Sequence, residues 1–270
     1  MNNGSDGDGW IYVHGRRPLR RVTTSIHRSV VVDEAVCRAA RNQVIRAVTQ
    51  ASIEAREFLV VLFRKLSRTV CRSSGWRIIA LGLGSPTALS MPLIRSFCYQ
   101  LAVCLIVREI FGVEHVDIFD PIMDANDEEI CRSLLDEYRP NISGLRSLCN
   151  PLGKSEWNYN TESDRASAPG IVLWMPHCEV ELYKTVLLGL EAGRDPLASA
   201  KALSGRQPQS PPIHCDLSNV IVIGNSLTSY SGENKLPGHI VERVVETALP
   251  DFPPFHQAFS DSYITAFRTM

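Results

Sequence analysis

Residue types capable of chemistry gather where four apolar runs stop. Ile78–Leu81 ends in Gly82-Leu-Gly84-Ser85-Pro86, and Val116–Phe119 ends in Asp120-Pro121. Ile171–Met175 ends in Pro176-His177-Cys178, and Asn219–Ile223 ends in Gly224-Asn225-Ser226. Glycines at Gly82 and Gly84 lack a Cβ, so backbone N–H groups there can approach an anion or take positive φ. A carboxylate at Asp120 accepts hydrogen bonds from ligand hydroxyls. Cys178 at the start of a helix and beside an imidazole has its thiolate favoured, which suits a nucleophile, a redox sensor or a haem ligand. Adjacent residues rarely ligate one metal ion, so a haem role would fall to His177 or Cys178 alone. The candidate ligand-binding set is therefore Gly82, Gly84, Ser85, Asp120, His177, Cys178, Asn225 and Ser226.

Each of these residues also has a plainer reading. Asp120 and Asn225 are turn formers, Ser85 can bond within its own loop, and the His177 imidazole can bond to a neighbouring strand end. Several reaction classes lose their signatures. The glycine loop lacks the third glycine of a dinucleotide fingerprint and is not followed by a Walker lysine; Gly-x-Ser-x-Gly is absent. No catalytic residue is assigned and no metal site is expected. The cofactor stays open between haem and a nucleotide-type ligand.

Hydrophobic periodicity supplies the scaffold. Ala35 to Leu66 carries apolar side chains at helical spacing and predicts one long helix or two consecutive ones. Leu93 to Ile106 predicts a well-buried helix that Ser90 can cap, with Pro92 in its first turn. Asp127 to Tyr138 and Val180 to Leu190 predict two more. Short β-branched runs at 78–81, 116–119, 171–175 and 219–223 read as buried strands, the last being the final strong one, with a short strand at 145–148 between them. Ile240 to Thr247 reads as a weak helix. Strand, glycine loop, helix, strand and acid in that order predict a doubly wound, mostly parallel α/β sheet of Rossmann-like type, with right-handed crossovers, helices on both faces, and a long helical segment in front. In such a sheet the strand carboxyl ends share one rim, so the four polar endings should converge.

The domain expectation is a basic tail over residues 1–32, with Arg16, Arg17, Arg20 and Arg21, followed by a single domain over 33–270. That domain includes a helical segment at 33–72, an exposed polar loop at 150–169 and a flexible insertion near 193–216. Lysine and arginine number 28 against 29 acidic residues, a net charge of -1, so no global field recruits nucleic acid or an anionic membrane. No apolar stretch approaches the roughly 20 residues of a membrane helix. Eight irregularly spaced cysteines without a Cys-x-x-Cys pair read as reduced thiols, which places the protein in cytoplasm or nucleus.

Leu81-Gly-Leu-Gly-Ser-Pro86, Gln100-Leu-Ala102, Asp120-Pro121, Met175-Pro-His-Cys178 with Leu182-Tyr183, Ile223-Gly-Asn-Ser226 with Tyr230, and Phe259-Ser-Asp-Ser-Tyr-Ile-Thr-Ala-Phe267 occur in this order. Together with Trp10 and the arginines after it, they resemble the sensitivity-to-red-light-reduced (SRR1-like) family. The resemblance implies an intracellular regulatory protein. In plants it points to phytochrome signalling and circadian rhythm, and in other eukaryotes to haem metabolism and cytoskeletal phenotypes. It supplies no defined reaction. The leading expectation is a regulator that binds a small ligand at the strand ends, with protein partners a further part of it. The alternatives are a nucleotide- or S-adenosylmethionine-dependent transferase, a haem-linked regulator, or a pure interaction module. Asp120 lies well beyond the roughly 20 residues that separate a dinucleotide glycine loop from its ribose-binding acid, which weakens the transferase reading.

Overall fold

The computed structural model describes residues 33–70, 76–87, 91–141, 145, 170–203, 205, 215–230 and 235–269. The arginine tail, Ser90 and the polar loop at 150–169 lie outside them. Two helices open the described chain, α1 (Glu34–Glu54) and α2 (Arg56–Val70). Asp33 caps α1 by accepting from the N–H groups of Ala35 and Val36 at 3.0 and 3.2 Å, satisfying two of the donors that a helix start leaves unpaired. The chain then alternates: β1 (Arg77–Leu81), α3 (Met91–Phe111), β2 (His115–Phe119), α4 (Ala125–Glu137), β3 (Ile171–Met175), α5 (Val180–Glu191), α6 (Pro196–Leu203) and β4 (Val220–Asn225). It closes with α7 (Gly238–Val241), β5 (Val244–Ala248) and β6 (Ser262–Phe267).

Among the described residues the strands form one six-stranded sheet in the order β2-β1-β3-β4-β6-β5. The first four are parallel, and β6 and β5 add antiparallel to β4. Side chains alternate across the sheet with period two, and both faces are covered, which is why the central strands read as unbroken apolar runs. Ile78, Ala80, Val172, Trp174, Ile221 and Ile223 pack with α1 to α4 on one face. Ile79, Leu81, Leu173, Met175 and Val222 pack with α5 and α6 on the other. This is the α/β architecture with helices on both faces and a helical segment in front.

Three differences from the sequence expectation have local causes. The segment read as a weak helix is only helical at Gly238–Val241; Val244–Ala248 is a strand because Phe267 to Tyr263 lies alongside to pair with it. Asn219–Ile223 is consequently not the last strand. Within the stretch expected to contain a flexible insertion, near 193–216, Pro196–Leu203 is a helix, capped by Asp195, which accepts from the N–H groups of Leu197 and Ala198 at 2.7 and 3.3 Å. Asp195 also receives Arg77 Nη1 at 2.6 Å, while Arg77 Nε donates to Asp117 at 2.6 Å. One arginine thus ties β1, β2 and α6 together. Of the expected short strand at 145–148, Leu145 is helical and the others lie outside the described residues.

The carboxyl-terminal segment also reaches back into the core. Phe252 and Phe259 contact Phe58 of α2 with centroids 5.1 and 4.9 Å away, and Phe259 meets Trp174 of β3 edge-on at 5.9 Å. Aromatic burial of this kind fixes the backbone between the two phenylalanines, and so fixes the carbonyl of Ala258.

Candidate functional site

The chain runs from β1 to β2 on one side and resumes with β3 on the other, so the direction of winding reverses between β1 and β3. Crevices at such reversals, outside the strand carboxyl ends, are where open α/β sheets bind ligands. All four sequence-predicted strand endings lie along this rim and are linked in a row by hydrogen bonds.

On the β1–β2 side the glycine loop is held by carboxylates. Gly84 N–H donates to Asp120 Oδ2 at 2.8 Å and Ile122 N–H donates to Asp120 Oδ1 at 3.0 Å. Gly82 N–H donates to the Phe119 carbonyl at 3.2 Å. Ser85, fully buried, accepts from Thr87 N–H at 3.2 Å, and the Thr87 hydroxyl donates to Asp127 at 2.6 Å. Asp127 sits in the first turn of α4 and forms a capping box with Asp124, where the helix dipole favours its charge. The amides of Gly82 and Gly84 and both oxygens of Asp120 therefore serve the loop itself.

Between β1 and β3 the contact is closest. Gly82 has φ +71° and its missing Cβ would fall 2.5 Å from Cys178 Sγ, so both the conformation and the approach of the thiol require glycine. Cys178 donates its S–H to the Leu81 carbonyl at 3.3 Å. The expectation of a favoured thiolate is corrected here. Burial pushes the Cys178 thiol far above its ordinary value, and the charges of Asp120 and Glu179 add to this. A buried sulfur bonded to a carbonyl is held away from the thiolate form that nucleophilic attack and haem ligation use.

On the β3–β4 side neutral groups do the holding. Asn225 Oδ1 accepts from His177 N–H at 3.0 Å, and Asn225 Nδ2 donates to the Cys178 carbonyl and to the Tyr230 hydroxyl, each at 3.0 Å. The buried Tyr183 hydroxyl donates to the Met175 carbonyl and accepts from Asn225 N–H at 2.9 Å. Gly224 makes room for it, because a Cβ there would stand 2.2 Å from that hydroxyl.

His177 is the conformational exception on the rim. Its φ of +60° is in the left-handed region, which costs a non-glycine residue on the order of 1–3 kcal/mol and persists only where surroundings enforce it. The clamp is visible: Asn225 holds its N–H, and its Nε2 lies 3.2 Å from the Ala258 carbonyl, which also accepts from Gln100 Nε2 at 2.9 Å. The residue as a whole is exposed, while Nε2 turns inward. Local desolvation lowers the imidazole pKa below its ordinary 6.5, opposed by the carbonyls of Ala258 and Gln257, so the neutral ring is favoured. Of the two residues considered for haem, His177 is exposed as a residue and Cys178 is buried. Ser226 points away from the β1–β3 reversal, its hydroxyl donating to Glu246 of β5 at 2.9 Å.

The sequence reading missed several residues that build this rim. Glu246 gathers Leu227 N–H, the hydroxyls of Ser226 and Thr228, and Thr265. Tyr183 and Gln100 stood in the sequence only as parts of family motifs, and Asp127 only as a helix start; their roles at the rim escape notice because a polar atom at one tip leaves helical periodicity unchanged. Among the described residues no cluster of three or more His, Cys, Asp or Glu can hold a metal ion, and no helix is long and apolar enough to cross a membrane.

A model of the SRR1 domain matches residues 59–267. The chain belongs to the SRR1 domain family. No curated protein and no solved structure matches the chain. The matched span of the SRR1 domain contains every strand and the whole rim, with α1 lying ahead of it. Membership supports a regulatory protein of this family.

Proposed function

We propose that this SRR1 domain acts as a ligand-responsive regulator, taking a small molecule at the carboxyl rim where winding reverses between β1 and β3. The observation that carries the reading is His177, a non-glycine residue held left-handed at that reversal. Bonds to Asn225 and Ala258 hold a left-handed backbone that keeps an imidazole, rather than a glycine, at the reversal, and such outliers cluster at sites of recognition. The imidazole is the rim's recognition group. Asp120, Asn225 and Tyr183 act behind it as positioning residues that fix the two loops. Neutral histidine near pH 7 can hydrogen-bond to a nucleotide or ligate haem iron, and both ligand types belong in the test.

Isothermal titration of the folded protein with a panel of nucleotides, S-adenosylmethionine and haem tests the reading. A saturable heat for one member is expected, with an affinity weakened at least about tenfold (about 1.4 kcal/mol) by His177→Gly. Silence across the panel from a sample shown to be folded overturns it. No observation at the rim favours the transferase alternative over binding.

A further inference from the structure

A second surface lies at the β2 edge of the sheet, away from the rim. The Phe119 carbonyl accepts from Gly82, so Phe119 and Asp117, two residues apart, turn their backbone groups toward β1. Val116 and Ile118 alternate with them, and direct their N–H and C=O groups outward, where the sheet has no further strand among the described residues. Neither amide has a partner among the described residues. An open row of this kind is a template for another chain unless it is covered or blocked by proline, lysine or a bulge, and β2 (His-Val-Asp-Ile-Phe) carries none of these blocks.

A cleft of about 720 Å³ opens beside this edge, lined by Glu114, Val116 and Ile118 and, from α4, by Glu128, Arg132 and Asp136. Its charges are unevenly committed. Arg132 is engaged by Glu129 and Asp136, at 2.6 and 3.7 Å. Arg77 at the cleft wall is taken by Asp117 and Asp195, and the buried Arg108 donates to the carbonyls of Leu135 and Tyr138 at 2.7 and 2.6 Å, closing the carboxyl end of α4. The exposed carboxylates of Glu114 and Glu128 pair with no cation of the described residues. The unspent charge facing outward is therefore negative.

We propose that the β2 edge is a docking site for an extended, basic segment of a partner protein, added to the sheet as a further strand. Val116 and Ile118 supply the backbone bonds, which fix register without reading sequence. Glu114 and Glu128 select cationic side chains, as complementary charge does at interfaces. The proposal is independent of ligand binding at the rim.

The probe is a short fluorescein-labelled peptide alternating arginine and valine, added to the full chain and followed by anisotropy. Saturable binding is expected, with hydrogen exchange at the Val116 and Ile118 amides slowed at least about tenfold. N-methylation of alternate peptide nitrogens should abolish binding. Glutamate in place of the peptide arginines should abolish it as well. The double variant Glu114→Lys with Glu128→Lys, both exposed positions, should weaken it about tenfold with an unchanged melting temperature. The proposal is overturned by absent binding, by binding indifferent to N-methylation, by protection confined to another strand, or by a dimer of this chain whose β2 amides are protected without peptide.

Discussion

The two halves of the carboxyl rim are built from different chemistry. On the β1–β2 side, carboxylates hold amides: Asp120 receives Gly84 and Ile122, and Asp127 receives Thr87. On the β3–β4 side, neutral amide, phenol and imidazole groups hold each other through Asn225, Tyr183, Tyr230 and His177. The first half relaxes by losing charge-assisted bonds, the second by losing geometry. A carboxylate clamp tolerates a shift of one partner, since it retains other lone pairs. The neutral clamp depends on Asn225 for three of its bonds, and within it sits the one strained residue of the rim. The first half therefore behaves as a fixed wall, and the second as the part that a ligand can sense.

Breaking the seam between the halves should have the largest effect. Gly82→Ala places a Cβ on Cys178 Sγ and forces a left-handed alanine, so a loss of about 2–4 kcal/mol is expected in urea unfolding. Adding Cys178→Ala should recover the steric part and leave the conformational part. No recovery at all would show that the thiol is not what fills that space.

Next comes the neutral clamp. Asn225→Ala removes three hydrogen bonds, strands the His177 N–H and leaves the Cys178 carbonyl only the Tyr230 hydroxyl at 3.5 Å, and should cost about 2–3 kcal/mol by the same measurement. Asp120→Asn on the other side keeps an acceptor for Gly84 and should cost about 1 kcal/mol. If the two losses come out reversed, the contrast between wall and sensor fails.

The smallest effect is a pH dependence. The folded imidazole of His177 has its pKa depressed, so the unfolded chain binds the extra proton first. Stability from this group is fully present above the ordinary histidine value of 6.5 and is lost as pH falls from there toward the lower folded value. The slope of melting temperature between pH 7 and pH 5.5 should flatten in His177→Asn, since asparagine accepts the left-handed conformation and does not titrate. An unchanged slope would remove His177 from the account of that window.

What the sequence made legible follows from which interactions are local. Strands β1, β3 and β4 announce themselves because both their faces are buried, and the polar endings at Gly82, Asp120, His177 and Asn225 are visible because composition changes abruptly there. Strand β5 was invisible, since Val-Val-Glu-Thr-Ala alternates too weakly and is a strand through its pairing with β6. The roles within the rim were equally hidden. Asp120 looks like a ligand group in sequence, and only the position of Gly84, 36 residues earlier, commits its oxygens. The Cys178 thiol looks reactive beside histidine, yet the closeness of Gly82 and Leu81 buries it. Nothing in the sequence around His177 signals a left-handed backbone, because that conformation is imposed from Asn225 and Ala258, far along the chain.

The most direct test of the rim as a ligand site is a set of backbone amide spectra recorded while nucleotides, S-adenosylmethionine and haem are added in turn. Binding as described shifts the amides of Gly82 to Thr87, His177 and Asn225 together, with Asp120 moving less. Spectra that stay still throughout, or that move only at residues remote from these loops, would contradict it.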